Sequence, residues 1–490
     1  MTIYCCTSTI MLFVAFLLIA LHSTIPVDAK ETTANSCDNP DASADIVEDS
    51  IPSLQYNADQ SDNDDEQKAR KAKDFEVYFS AYGELHHQKD MLTDTHRMDS
   101  YYNAIFANAE AAFKDKIVMD VGTGSGILAI WAAKAGAKKV YAIEYTDMAH
   151  NARRLVEANG VADIVTVIQG TVEGVTLPLK EDGFGDGDNE QVVDVIVSEW
   201  MGYMLIRESM LDSVLVARDR YLKKDTGLMF PSHASILIAP IVDESIRLEN
   251  NYDYNKAMDD WYDFVENTKV QYGGVDYSAL SEDFEKEQMN YYIQQCQWQE
   301  LKEDALLAKP HVLKTLDLIT CTHKDTRGIF DSTEDSEMSS QNGNTDTNEF
   351  DFVMHPKTKI ISGFASWFTT DFKSRTDSMA SEDAPKLVET ITLNTGPEQG
   401  YTHWGQQVFY FLDGIRLKSS LNQATGSLPE GGVYGKTTTI HLKGKLDMFR
   451  NKANARLYKS RIEHFLEEVD NASQKVTRKT NPVENMFDIQ

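Results

Sequence analysis

The sequence predicts an α/β chain in which a doubly wound parallel sheet precedes an antiparallel β-barrel carrying an inserted helical arm. Three observations predict it. Between about residues 116 and 197, short apolar β-rich runs alternate with helix-length runs, the pattern of parallel strands joined by crossover helices. Beyond Pro231 the pattern changes, and after Pro310 short strand-like runs dominate. Between the two patterns lies a helical, aromatic stretch over residues 252–307 (YNKAMDDWYDF, QMNYYIQQCQW).

Taken in order, residues 116–120 (KIVMD) predict the first strand, ending in glycines. The following ILAIWAAKAG predicts a helix closed by Gly136. A strand at 140–144 (VYAIE), a helix at about 148–159 and a strand at 164–168 continue the alternation. Residues 192–197 (VVDVIV) predict a later buried strand, and 227–231 (GLMFP) the edge of this domain. Further strands are expected at 312–319, 359–368, 387–393, 407–412 and 437–442. Polar, Ser/Asn-rich residues 331–351 predict a long loop. The expected division is a hydrophobic leader at 1–29, an acidic disordered segment at 30–72, N-terminal helices with the parallel sheet at 73–230, and the barrel with its arm at 231–490.

In the leader, residues 10–21 (IMLFVAFLLIAL) are an unbroken apolar run of signal-peptide length, short for a membrane span. Val27 and Ala29 suit a cleavage site before Lys30, but no Lys or Arg precedes the run. A cleaved signal, an anchor and a misassigned start all fit. Asp59, Asp62, Asp64, Asp65 and Glu66 then form a solvated acidic run. Cys5, Cys6, Cys37, Cys296 and Cys321 form no disulfide framework and no zinc pair. The formal charge of −30 over 490 residues makes the chain a poor non-specific nucleic-acid binder, and fits equally attraction of basic, Arg- or Lys-rich protein partners and an acidic surface that only keeps the protein soluble.

The sharpest local signal is the turn DVGTGSG, residues 120–126, between strand and helix. Glycines there let a ligand approach backbone N–H groups at a helix start. Glu144, ending the next strand, is placed to accept both hydroxyls of a ribose. The spacing of Gly122, Gly124 and Gly126 after Asp120 favours S-adenosylmethionine over a dinucleotide. A second constellation runs from Ser198-Glu199-Trp200 to Arg207-Glu208-Ser209-Met210. Glu199 emerges from a buried strand and Glu208 returns nine residues later. Two converging carboxylates are raised in pKa unless a cation joins them, and a guanidinium is the matching cation. Either glutamate alone reads as a helix-start charge. DGFGDGD, residues 182–188, reads as a solvated loop rather than a calcium site, because Phe184 and Val193 stand at ligand positions. No metal is expected.

These motifs resemble the protein arginine N-methyltransferases, and among them the plant group usually numbered ten. The resemblance runs from Tyr78-Phe79-Ser80-Ala81-Tyr82, His87-Gln88-Lys89-Asp90-Met91-Leu92 and Arg97 through the glycine turn and the segment from Glu199 to Met210. It continues to Thr402-His403-Trp404-Gly405-Gln406-Gln407. The leader, the acidic segment and insertions at about 180–191 and 331–351 depart from it. The resemblance implies that Gln88, Arg97, Gly122, Gly124, Glu144 and Glu173 bind S-adenosyl-L-methionine: Arg97 its carboxylate, Glu144 its ribose, Glu173 its adenine amino group. It implies Glu199 and Glu208 as the catalytic pair. Tyr78, Tyr82, Met91, Met210 and Trp404 would line or support the pocket, with Asp94 and His403 paired across the domains. Taken alone, His403 reads as a packed structural histidine and Asp94 as a surface charge. The resemblance further implies asymmetric dimethylation through Met91, a homodimer built on the arm, and Arg-Gly-rich or histone-like substrates. It implies cytoplasm and nucleus, where the leader suggests secretory or membrane entry. An inert protein that binds Arg-rich partners, and a small-molecule methyltransferase, are the competing readings.

Overall fold

The computed structural model describes residue 79 and residues 82–184, 190–329, 348–417, 438–451 and 454–489. The leader, the acidic segment, Tyr78 and most of the 331–351 insertion lie outside the described residues.

Helices α1 (Leu85–Thr93) and α2 (Thr95–Ala107) meet at Asp94, whose side chain caps α2 by accepting the Arg97 N–H. The parallel sheet follows: β1 (Ile117–Val121), α3 (Ile127–Lys134), β2 (Lys139–Glu144), α4 (Met148–Ala158), β3 (Val165–Gln169), β4 (Val195–Val197), α5 (Met210–Tyr221) and β5 (Leu228–Phe230). Helix α4 buries Met148, Ala149, Ala152 and Val156, one face at helical spacing, whereas the apolar α3 is buried almost all round. Strand order is β3-β2-β1-β4-β5, all parallel. The order reverses at β1, and ligands bind at such a switch point, beyond the carboxyl ends of the strands. Asp120 of β1, Glu144 of β2 and Glu199 just beyond β4 therefore come from one edge of one sheet.

The pattern turns antiparallel at β6 (His233–Ile241). Helices α6 (Glu244–Gln271) and α7 (Ser281–Tyr292) pack on each other and lead to β7 (Gln297–Gln299) and β8 (His311–Asp317). Next come β9 (Gly328–Ile329), β10 (Glu349–Met354), β11 (Ile360–Phe372), β12 (Ile391–Asn394) and β13 (Gln406–Arg416). The chain ends in β14 (Thr438–Arg450), β15 (Tyr458–Asp470), β16 (Val476–Lys479) and β17 (Val483–Ile489). The barrel-like part consists of two six-stranded sheets, one ordered β7-β13-β11-β6-β8 with β12 on β11, the other β10-β14-β15-β16 with β9 and β17 at its flanks. They share one core, in which Phe350 meets Phe364 and Phe409 meets Phe487 at about 5 Å between ring centroids.

Several boundaries differ from expectation. The arm helices begin at Glu244, capped by Asp243, and residues 297–299 within the expected arm form β7. The strand expected at 387–393 forms only as Ile391–Asn394, because Asn108 of α2 already holds the Val388 and Glu389 N–H groups. The strand expected at 437–442 is the first part of a thirteen-residue β14 paired along its length with β15.

Candidate active site

Asp120 is fully buried at the base of the glycine turn. Its Oδ2 accepts the Thr123 hydroxyl at 2.5 Å and the Ala129 N–H at 3.0 Å, tying the turn to α3. Burial pushes its carboxyl up to about 7, against those two bonds and with the charge of Glu144 adding to the rise. Glu144 is pinned by Gly124 N–H on Oε2 (2.8 Å) and by the Thr146 N–H and hydroxyl on Oε1 (2.8 and 2.7 Å). Gly124 has φ 53°, and a Cβ there would lie 2.8 Å from Gln88 Oε1. A side chain there is strained by the backbone conformation and would displace the Gln88 amide, which α1 brings over the turn. Met210 closes the other side, its thioether methyl packed against Gly122. These residues fit a nucleoside cofactor: a bare backbone turn, a fixed carboxylate on the neighbouring strand, and a buried guanidinium close by.

That guanidinium is Arg97. Its Nε and Nη2 both donate to Glu199 Oε2, at 3.0 and 2.7 Å, and Nη1 donates to the Met91 carbonyl at 3.2 Å. Glu199 Oε1 accepts a long 3.3 Å bond from the Met201 N–H. Glu208 has its own partners: the Tyr82 hydroxyl donates to Oε2 at 2.8 Å, and Arg207 Nη1 stands 3.5 Å from Oε1. Each carboxylate therefore has a cation beside it, the condition under which two acids share a site. The loop between them is wound tightly, with Met204, Leu205, Glu208 and Ser209 all at positive φ.

Asp94 is wholly buried, not a surface charge. Burial works to raise its carboxyl, yet the bonds from His403 and from the Arg97 backbone outweigh it and hold the group below its ordinary value. His403 contributes its backbone N–H at 2.9 Å and Nδ1 at 2.8 Å. Trp404 is buried and donates Nε1 to the Met201 carbonyl at 2.8 Å. The loop before β13 thus grips both α2 and the segment after Glu199.

Tyr82, Gln88, Met91, Asp94, Arg97, Gly122, Gly124, Glu144, Glu199, Glu208, Met210, His403 and Trp404 come together in this way. Glu173 is exposed and accepts the Ser213 hydroxyl at 2.6 Å, on the same helix α5 that begins with Met210. The loop at 182–188 is described only at its start, where Asp182 accepts from Lys139 and Tyr141. Sequence reasoning missed Thr146, Arg207, Ser209 and Arg456, whose carbonyl accepts the Glu208 N–H at 3.0 Å. Only Arg207 and Ser209, inside the paired-glutamate segment, had a local signal to find them by.

The chain is similar to known proteins over most of its length. Residues 233–425 match the family described as the arginine methyltransferase oligomerization subdomain, and residues 102–215 match ribosomal protein L11 methyltransferase (PrmA). The chain is 39% identical over 415 residues to protein arginine N-methyltransferase PRMT10 of Arabidopsis thaliana, covering 84% of this chain and 93% of that one. It is 42% identical over 356 residues to PRMT10 of Oryza sativa subsp. japonica, covering 72% and 82%. The crystal structure of Arabidopsis thaliana protein arginine methyltransferase 10, in an open conformation, superposes with TM-score 0.67 at 38% identity over 84% of this chain and all of that one. A Trypanosoma brucei PRMT1 enzyme-prozyme heterotetrameric complex with AdoHcy superposes with TM-score 0.55 at 26% identity, over 84% of this chain and all of that one. At 39% identity across 84% of its length, with the Arabidopsis relative covered to 93%, the chain belongs to the protein arginine N-methyltransferases.

Proposed function

We propose that this chain methylates arginine side chains of basic proteins, with Glu199 and Glu208 holding the guanidinium and S-adenosylmethionine on the glycine turn. The observation that carries the reading is the asymmetric use of Glu199. Arg97 Nε and Nη2 both donate to Oε2, which leaves Oε1 to the long Met201 bond. Glu144 and Gln88 would hold the nucleoside side of the cofactor, Glu173 its adenine, and the outer N–H groups of Arg97 its carboxylate. The cofactor supplies an electrophilic methyl on a sulfonium.

Arginine stays protonated at any ordinary pH, so its proton leaves during or after methyl transfer, and neither glutamate needs to remove it first. Glu199 Oε1 and Glu208 accept N–H bonds from the guanidinium, concentrate its electron density on one nitrogen and orient that nitrogen for in-line attack. Positioning and preorganised charge supply most of the acceleration. Tyr82 and Arg97 fix the two carboxylates, and Asp94, through His403 and the N-cap of α2, fixes Arg97.

The product we propose is asymmetric dimethylarginine. Met91 lies on α1 next to Arg97, which bonds its carbonyl. A thioether there narrows one side of the pocket, so a methylated nitrogen re-enters facing the same way. We further place self-association on α6 and α7, within the segment matching the oligomerization subdomain. Incubation with S-adenosylmethionine and an Arg-Gly-rich peptide should give asymmetric dimethylarginine, read by neutral loss of dimethylamine in mass spectrometry. Glu199→Gln and Glu208→Gln should each lower turnover by about two orders of magnitude or more. Near-normal turnover in both variants overturns the assignment of the pair, and mainly symmetric product overturns the reading of Met91.

A further inference from the structure

Glu208 and Ser209 sit at φ 83° and 59°, backbone that L side chains resist. Contacts from outside the loop hold it there, and they come from the far sheet. The hairpin between β14 and β15 ends in a turn closed by Asn451 N–H on Leu457 O and by Leu457 N–H on Asn454 O. From this turn the Arg456 carbonyl accepts the Glu208 N–H, and the Ala455 carbonyl accepts the Ser209 hydroxyl. Ser209 Oγ also lies 3.2 Å from the hydroxyl of Tyr458, the first residue of β15, which is 1% exposed.

Tyr458 is itself held. Its hydroxyl has two acceptors in reach, the Thr326 carbonyl at 2.8 Å and Ser209 Oγ, and its oxygen accepts Arg450 Nε at 2.9 Å. Arg450 ends β14 and reaches further: Nη1 to Asp212 Oδ2 at 2.8 Å, Nη2 to the Thr326 carbonyl at 3.1 Å. The Thr326 hydroxyl in turn donates to Asp212 Oδ1 at 2.5 Å. Asp212 lies in the first turn of α5, the helix that begins directly after Ser209. One guanidinium and one phenol thus tie the hairpin, the Thr326 turn and the start of α5 together around the loop.

We infer that Arg450 and Tyr458 are positioning residues for the reaction, a strap that holds Glu208 in its left-handed backbone so that its carboxylate meets the substrate guanidinium. The inference rests on reading Glu208 as a catalytic residue. The bonds of Arg450 and Tyr458 run to Ser209, Asp212 and Thr326 rather than to the glycine turn, Arg97 or Glu199. The strap acts through Ser209 and the Glu208 N–H, so it governs turnover and leaves cofactor binding alone.

Tyr458→Phe removes a single oxygen from a packed ring and should lower kcat about tenfold, with S-adenosylmethionine affinity by calorimetry changed less than about twofold. Arg450→Lys, which keeps the charge but not the three-way fork, should lose at least as much. A cycle with Ser209→Gly supplies a readout that plain destabilisation would not move. Glycine removes the hydroxyl and the φ penalty together, so Tyr458→Phe in that background should cost less than about twofold in kcat. Equal losses in both backgrounds overturn the strap. Unchanged kcat in Tyr458→Phe, beside a Glu208→Gln enzyme that is inactive, overturns it while leaving the catalytic reading standing. Near-normal turnover of Glu208→Gln overturns the catalytic reading and the strap with it.

Discussion

Asp120 shows what burial does to a single carboxylate. Its Oδ2 ties Thr123 and Ala129 together, while Oδ1 is buried without a hydrogen-bond partner among the described residues. The folded-state value of about 7 lies above the ordinary 3.8, so the group favours folding most below the ordinary value and loses that contribution as pH rises through about 7. Asp120→Asn keeps the shape without the charge. Its stability relative to wild type should therefore improve by on the order of 2 kcal/mol between pH 5 and pH 8. Denaturant midpoints of both proteins at the two pH values measure this, and a constant difference contradicts it. The residues that sequence made legible at this scale, Glu144, Glu199 and Glu208, are acids in short distinctive neighbourhoods. Arg456 was not legible, since its contribution is a backbone carbonyl, which every residue carries.

At the scale of elements, the segment between β4 and α5 is the most constrained. A Cβ on Gly202 would lie 2.1 Å from the Arg207 carbonyl oxygen, and backbone there cannot swing aside as a side chain would. The Gly202 N–H also donates to the Leu205 carbonyl at 3.0 Å. Gly202→Ala should open the loop, cost about 2 kcal/mol and reduce turnover more than tenfold. An unchanged melting temperature with unchanged turnover would mean that the loop has room. Parallel strands such as β1 and β2 were readable because both faces are covered and most of their residues are apolar. Strand β15 was not readable, because its period-two burial is written in Glu-, Lys- and Arg-rich sequence with good helix formers.

For the whole molecule, the arm is the part whose surface asks for a partner. Tyr252, Tyr262 and Tyr291 of α6 and α7 are 66%, 51% and 70% exposed. If two copies associate through this face, Tyr262→Glu with Tyr291→Glu should give a monomer by sedimentation, with activity down about tenfold or more. A wild-type protein that already sediments as a monomer removes the basis for the prediction. Excising residues 252–307 would be a poorer test, because β7 lies inside that range, pairs with β13, and its Trp298 bonds the His403 carbonyl.

The amino-acid sequence by itself determined the chemistry of this protein and the order of its parts. The glycine turn, Glu144 after its strand, and the two glutamates framing an aromatic loop are local patterns, and local patterns survive without a fold. Tertiary structure decided which cation meets which acid. Arg97 meets Glu199 across 102 residues, Asp94 meets His403 across 309, and Ser209 meets Tyr458 across 249. Such pairings depend on how sheets and helices pack, and packing is selected by buried area and shape, which no short window of sequence contains.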